Sequence, residues 1–110
     1  MSYDVIVRDH EEIKEDLKNS GKLKYFVGEV SNHIGRKVTA KEITFLLRFN
    51  TLYHGWECDP YGWLLKVGDK NIAILTSHGD PYVVTKEALN ELVEIYKKTI
   101  NATQEAINML

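Results

Sequence analysis

The segment from residue 63 to residue 84 constrains the fold most, because it holds three short β-prone runs with turn residues between them. Apolar residues dominate each run, and every run contains Val, Ile or an aromatic residue, which are enriched in strands. The runs lie at 63–67, 72–75 and 82–84, and turn signals containing Gly lie at 68–71 and 77–81. This order predicts an antiparallel β-meander.

Residues before the meander predict one further strand and three helices. The β-branched run 3–8 predicts the strand. Asp9 followed by Glu12 is a helix start signal, and Gly21 ends that helix. The segment 23–34 places its apolar residues in an arc of roughly 100°, which predicts a second helix that ends at Gly35. Tyr25 lies outside that arc.

Two further helices are predicted from start signals. Thr39 and Glu42 match a capping box, so a third short helix is predicted over 40–50, with apolar residues on two faces. Thr85 is the predicted cap of a long final helix. Apolar residues in that helix repeat at alternating spacings of four and three, as in a coiled-coil seam. Its seam positions are Leu89, Val93, Tyr96, Ile100, Thr103, Ile107 and Leu110.

The long final helix has two interpretations. Its length of roughly 37 Å, at 1.5 Å per residue, exceeds the diameter of a compact domain of this size. Either the helix lies along its own sheet, or its far end packs against a second copy of the chain or another partner.

Together these elements predict a small single α+β domain over residues 1–110, in the order β-α-α-α-β-β-β-α. Its sheet is a three- to four-stranded antiparallel meander, packed with three shorter helices and a long C-terminal helix. A length of 110 residues and an apolar fraction of 44% suit one packed core.

Charge and cysteine content exclude several classes of protein. A net charge of −2 argues against a general nucleic-acid coat protein. A single cysteine, Cys58, excludes an internal disulfide framework. We find neither a leader sequence nor an apolar run of roughly 18 residues, so we expect a cytoplasmic protein with no membrane segment.

Aromatic residues between positions 53 and 63 indicate a binding surface. Trp and Tyr in a loop can anchor a protein partner or stack on a planar ligand, although they can equally form a lid over the core. The favoured function is a small, non-catalytic intracellular binding protein of the inhibitor, immunity, antitoxin or phage-accessory type. The predicted partner-binding residues are Tyr53, Trp56, Tyr61 and Trp63, with an acidic rim of Glu57, Asp59 and Asp80 that suits a basic partner.

The alternative function is a dimeric winged-helix DNA-binding regulator. Helices 23–34 and 40–50 would form its helix-turn-helix, and the long last helix would form the dimer. Four cations would contact phosphates: Arg36, Lys37, Lys41 and Arg48. The long connection between the helices, Phe45 and Phe49 on the recognition helix, and the slightly acidic chain all weigh against this function.

A third possibility is a small-ligand binder or enzyme that uses His54, His78 and Asp80. Zinc binding with Cys58 lacks the second closely spaced ligand pair of structural zinc sites. Cys58 is also a poor nucleophile, because the flanking carboxylates of Glu57 and Asp59 disfavour its thiolate. We therefore expect no metal, no cofactor and no catalytic residues.

Overall fold

The centre of the fold is a five-stranded antiparallel sheet whose strands follow chain order. The structure is a computed structural model that describes residues 6–50, 61–77, 80–95 and 101–110. The strands are β1 (Ile6–Val7), β2 (Ile43–Asn50), β3 (Tyr61–Val67), β4 (Lys70–Ser77) and β5 (Asp80–Val84). The predicted α+β class and antiparallel meander are confirmed, and the sheet gains a strand that the sequence analysis assigned to a helix.

Two helices precede β2 with the predicted bounds. Helix α1 (His10–Asn19) begins where predicted, since the Asp9 carboxylate accepts the backbone N–H of Glu11 at 2.9 Å. Helix α2 (Leu23–Ile34) ends at Gly35, whose φ of 88° suits glycine in a left-handed cap.

The predicted helix over 40–50 is wrong, because this segment forms a single 3₁₀ turn, Ala40–Glu42, followed by β2. Four alternate residues of β2 are buried, which is the period of a strand: Ile43, Phe45, Leu47 and Phe49. A register shift between Phe45 and Leu47 turns the first pair towards one face of the sheet and the second pair towards the other. The two apolar faces taken for a doubly buried helix are therefore the two faces of a bulged strand.

The capping box that suggested this helix exists, although it ends in one turn. The backbone N–H of Thr39 donates to Glu42 Oε2 at 2.7 Å, and Arg36 donates to Glu42 Oε1 at 3.0 Å. These two donors hold the pKa of Glu42 below its ordinary value of 4.5, with the Thr39 backbone bond as the larger cause.

Because the pKa of Glu42 is lowered in the folded state, we expect its ionised carboxylate to contribute to stability in a pH-dependent way. Because the folded-state pKa lies below the unfolded one, this contribution is complete above the ordinary value and is lost as pH falls through the folded pKa. Glu42→Gln is therefore expected to be less stable than the wild type near neutral pH, and the gap should narrow in acid. Denaturant unfolding at about pH 7 and about pH 3 measures the gap. Arg36→Ala removes one of the two donors to Glu42, so its free energy of unfolding should depend on pH less strongly than that of the wild type. If the difference in stability between the wild type and Glu42→Gln is the same at both pH values, the lowered pKa of Glu42 is contradicted.

Two apolar clusters lie on opposite faces of the sheet. On one face, α1 and α2 pack over the strands, and the cluster centres on Ile13, Phe26, Val30, Phe45, Trp63 and Leu65. On the other face, the cluster contains Leu47, Phe49, Leu64, Leu75, Leu89 and Ile107. The chain therefore forms three layers, with the sheet buried on both sides.

The predicted long final helix is wrong, because the described residues form two helices, α3 (Lys86–Ile95) and α4 (Asn101–Met109). The two helices contact each other, and Leu89 of α3 lies in the same cluster as Ile107 of α4. One long helix and two shorter helices packed on one core both require apolar residues every three to four positions. The spacing therefore could not distinguish the two arrangements. Thr85 does cap α3, since its Oγ1 accepts the N–H of Ala88 at 3.1 Å. The dimer formed through the last helix stays a prediction.

One contact covers the edge of β2 where β1 stops. The described residues of β1 pair with Arg48 and Phe49 of β2. Further along β2, the N–H of Phe45 donates to His10 Nδ1 at 2.9 Å, and the His10 ring stacks on the Phe45 ring. The first residue of α1 thus satisfies a backbone donor at a sheet edge, where unpaired donors invite aggregation. Among the described residues, no helix combines the length and the apolar character needed to cross a membrane.

Candidate binding surface at one end of the sheet

The strand register brings two of the predicted binding residues to the same end of the sheet. Asn50 at the end of β2 pairs with Tyr61 at the start of β3. Ser77 at the end of β4 pairs with Asp80 at the start of β5. Because neighbouring strands are antiparallel, Tyr61 and Asp80 both lie at this end. The other predicted residues of the aromatic loop and the histidine set lie outside the described residues: Tyr53, His54, Trp56, Glu57, Cys58, Asp59 and His78.

Tyr61 lies on the surface against a cation. Its side chain is 37% exposed, and the Arg48 guanidinium lies 5.0 Å from the centre of its ring. The same guanidinium donates to Asp16 Oδ2 of α1 at 3.1 Å. Arg48 is thereby held between a carboxylate and an aromatic face, which restrains the exposed ring.

Trp63 is a core residue, so its prediction as a surface anchor is wrong. It is 6% exposed, and its ring meets Phe26 of α2 edge-on at a centroid distance of 4.9 Å. Tyr61 and Trp63 are two residues apart in one strand and therefore point to the same face of the sheet. Helix α2 covers Trp63, whereas Tyr61 remains exposed beyond this cover.

Tyr25 joins Asp80 at an open groove between α2 and β5. This tyrosine is 55% exposed, and Lys24 Nζ lies 5.2 Å from the centre of its ring. The groove is lined by Lys24, Tyr25, Gly28, Glu29, Asn32, Asp80 and Pro81. Tyr25 is not among the predicted binding residues, although its position outside the apolar arc of α2 was the signal that it faces solvent.

Tyr82 of β5 is the third exposed tyrosine near this end, at 41% exposure. It pairs with Leu75 of β4, whose side chain belongs to the cluster on the α3–α4 face, so Tyr82 points away from the face that carries Tyr61 and α2. We define the sheet-end surface by the two tyrosines on the α2 face and their charged neighbours: Tyr25, Arg48, Tyr61 and Asp80. Its described charges are mixed, because the Asp80 carboxylate shares a groove with Lys24.

The fourth exposed large apolar residue of the described chain lies elsewhere. Met109 of α4 is 37% exposed, and its backbone carbonyl accepts a hydrogen bond from the Asn71 side chain at 2.7 Å. Asn71 follows the β3–β4 turn, so Met109 lies at the opposite end of the sheet. The three exposed tyrosines therefore all lie towards one end of the sheet, Tyr25 and Tyr61 on one face and Tyr82 on the other.

The four cations predicted to contact DNA do not form one patch. Arg36 pairs with Glu42, and Lys37 and Lys41 are exposed nearby at the start of β2. Arg48 lies at the other end of β2, paired with Asp16. The predicted helix-turn-helix also lacks its second helix, because residues 43–50 form a strand.

The described part of the chain contains no group of three or more His, Cys, Asp or Glu side chains arranged to hold a metal ion. Asp80 is the one member of the predicted His54, His78 and Asp80 set that the structure describes, and it is exposed. Comparison with protein-family models, with curated proteins and with solved structures finds no match for this chain.

Proposed function

We propose that this chain is a small, non-catalytic intracellular binding protein that holds a protein partner at the sheet-end surface. An inhibitor, immunity, antitoxin or phage-accessory protein would act in this way. The observation that supports the proposal best is that Tyr25 and Tyr61 are both exposed on the α2 face, towards one end of the sheet. Tyrosine is enriched among residues that dominate binding energy, because its ring buries a large area and its hydroxyl forms hydrogen bonds.

The charged neighbours of the tyrosines add to this support. Arg48 lies over Tyr61 and Lys24 lies over Tyr25, so each ring is restrained before any partner arrives. Restraining a side chain in advance lowers the entropy lost on binding. Asp80 lies at the same end and supplies an exposed carboxylate. It is the one described residue of the acidic rim that would meet a basic partner.

Site-specific cross-linking tests the proposal. A photoreactive benzophenone amino acid is placed at position 61 in one sample and at position 109 in another, and both proteins are cross-linked in their native cells. Positions 61 and 109 are matched in exposure at 37% each and lie at opposite ends of the sheet. We expect a partner to be cross-linked from position 61 and not from position 109.

Binding of the identified and purified partner completes the test. Tyr61→Ala is expected to weaken the Kd by at least about tenfold, as for residues that anchor an interface. Met109→Ala should leave the Kd unchanged. The proposal fails if both positions cross-link the same proteins, or if Tyr61→Ala, shown to be folded, binds the partner as tightly as the wild type.

A further inference from the structure

Helix α2 carries a wider apolar stripe than the sheet covers. Phe26 and Val30 are fully buried in the core. Leu23 and Val27 belong to the same apolar arc but are only half-buried. These two side chains are four residues apart and therefore adjacent on the helix surface. Part of the stripe that the sequence provides for packing is thus left facing outwards.

Leu23 and Val27 line an open groove at the turn between α1 and α2. Its volume is about 500 Å³, and its remaining lining residues are Lys18, Gly21, Lys24 and Ala40. Gly21 has a φ of 77°, and a Cβ built there would meet no atom within 4 Å. The glycine makes the tight turn between the helices and leaves the wall of the groove open.

The charged side chains that line this groove are both basic. Lys18 and Lys24 are the charged lining residues in the described part of the chain. Lys41 is exposed beside Ala40, and Glu42 in the same turn is paired with Arg36. The first turn of α2 contains no acidic residue, and its N-cap, Lys22, makes no side-chain capping bond. The positive end of the helix dipole therefore adds to the lysine charges. An apolar floor with a cationic rim complements a ligand that has apolar and anionic groups side by side.

We propose that this groove binds an acidic, amphipathic peptide segment of a partner protein. Two apolar side chains of the segment, one helical turn apart, would cover Leu23 and Val27, and its carboxylates would meet Lys18 and Lys24. A nucleic acid would satisfy the lysines but leave the two apolar side chains in water. Lys24 contributes to both surfaces, because its Nζ also lies over the Tyr25 ring. The apolar floor of Leu23 and Val27 belongs to this groove and not to the sheet-end surface, so the inference does not rest on the proposed function.

Titration of the whole ¹⁵N-labelled chain, followed by NMR, tests the inference. The probes are a panel of peptides of about 12 residues, each with two leucines one helical turn apart and several glutamates. The same peptides with lysine in place of glutamate, and a short DNA duplex, are the comparison probes. We expect acidic peptides to shift the amide signals of residues 18–27 and 40, and the basic peptides to shift none.

Matched variants separate the two parts of the groove. Lys18→Gln combined with Lys24→Gln should weaken binding of the acidic peptide by about five- to tenfold, because two exposed ion pairs are lost. Lys70→Gln combined with Lys86→Gln removes two exposed lysines elsewhere and should change nothing. Val27→Ala should weaken binding severalfold.

Three outcomes would overturn the inference. They are no binding by any acidic peptide, an equal loss of binding in both double lysine variants, and tighter binding of the DNA duplex at these amides. Tyr61→Ala must leave peptide binding unchanged, so a failure of this inference is distinct from a failure of the proposed function.

Discussion

Phe26→Ala is expected to lower the free energy of unfolding by about 3–5 kcal/mol, as for other fully buried phenylalanines. Phe26 has no exposed surface, and its ring contacts Trp63 edge-on at 4.9 Å and lies 6.5 Å from the Phe45 ring centre. It joins α2 to β2 and β3 at one point. Its removal leaves a cavity among rings that cannot close together, so the loss of transfer energy and the cavity both add to the effect.

Chemical denaturation followed by tryptophan fluorescence measures this change. Tyr25→Ala is the matched control, because the neighbouring side chain is 55% exposed. It should alter the free energy of unfolding by no more than about 0.5 kcal/mol. Small domains have a total stability of about 5–15 kcal/mol, so the Phe26 variant should lose a large share of it and unfold at a clearly lower denaturant concentration. Equal effects at positions 25 and 26 would show that α2 does not face the sheet as described.

Gly62→Ala is expected to lower the free energy of unfolding by about 1–3 kcal/mol, through overpacking. A Cβ on Gly62 would lie 2.4 Å from Phe49 Cζ and 2.7 Å from Leu75 Cδ2. Phe49 pairs with Gly62 across β2 and β3, and its ring is fully buried. Because the ring is fully buried, moving it aside would displace its own neighbours, so the packing of Phe49 favours glycine at position 62.

Two further variants make the Gly62 expectation specific. Gly28→Ala, in the middle of α2, meets no atom within 4 Å and should raise the free energy of unfolding by about 0.5–1 kcal/mol. Phe49→Leu creates space at Gly62, so the double variant should be more stable than the sum of the two single changes implies. The close contact between Gly62 and Phe49 would be contradicted if the two single changes in the free energy of unfolding simply add in the double variant. It would also be contradicted if Gly62→Ala leaves the free energy of unfolding unchanged.

These core contacts also bear on the binding surface. Phe26 and Trp63 hold α2 against the sheet, and α2 carries Tyr25 to the groove that contains Asp80. Phe49 and Gly62 lie next to Arg48 and Tyr61 in the paired strands β2 and β3. Both proposed surfaces are therefore built on rigid elements whose positions depend on the buried aromatic residues.

Local signals in the sequence predicted the elements that depend on neighbouring residues. The carboxylate of Asp9 and the left-handed conformation of Gly35 set helix ends within one turn of the chain, and both predictions are confirmed. The turn at Gly68 also depends on the few residues around it, so the β3–β4 hairpin was predictable.

The segment 43–50 could not be assigned in the same way. Its capping box is present, but it stabilises only a single turn. After that turn the segment pairs with β3, where Phe45 lies opposite Leu65 and Leu47 opposite Leu64. Apolar residues at successive positions fit a helix with two apolar faces as well as a bulged strand. Only contact with β3, which begins at Tyr61, decides between them.

The candidate site also has a part that local sequence signals predict and a part that depends on contacts between distant segments. The α+β class, the meander and the two helices before β2 are predictable from the sequence, because they follow from local conformational preference and from periodicity. Packing between distant segments buries Trp63 while Tyr61 stays exposed. It also places Tyr25 beside Asp80 and makes Leu23 and Val27 line a groove. Helix α2, from a distant part of the chain, covers Trp63 and leaves Tyr61 exposed. The alternation of residues along β3 predicts which face a side chain is on, but not how far a helix covers that face.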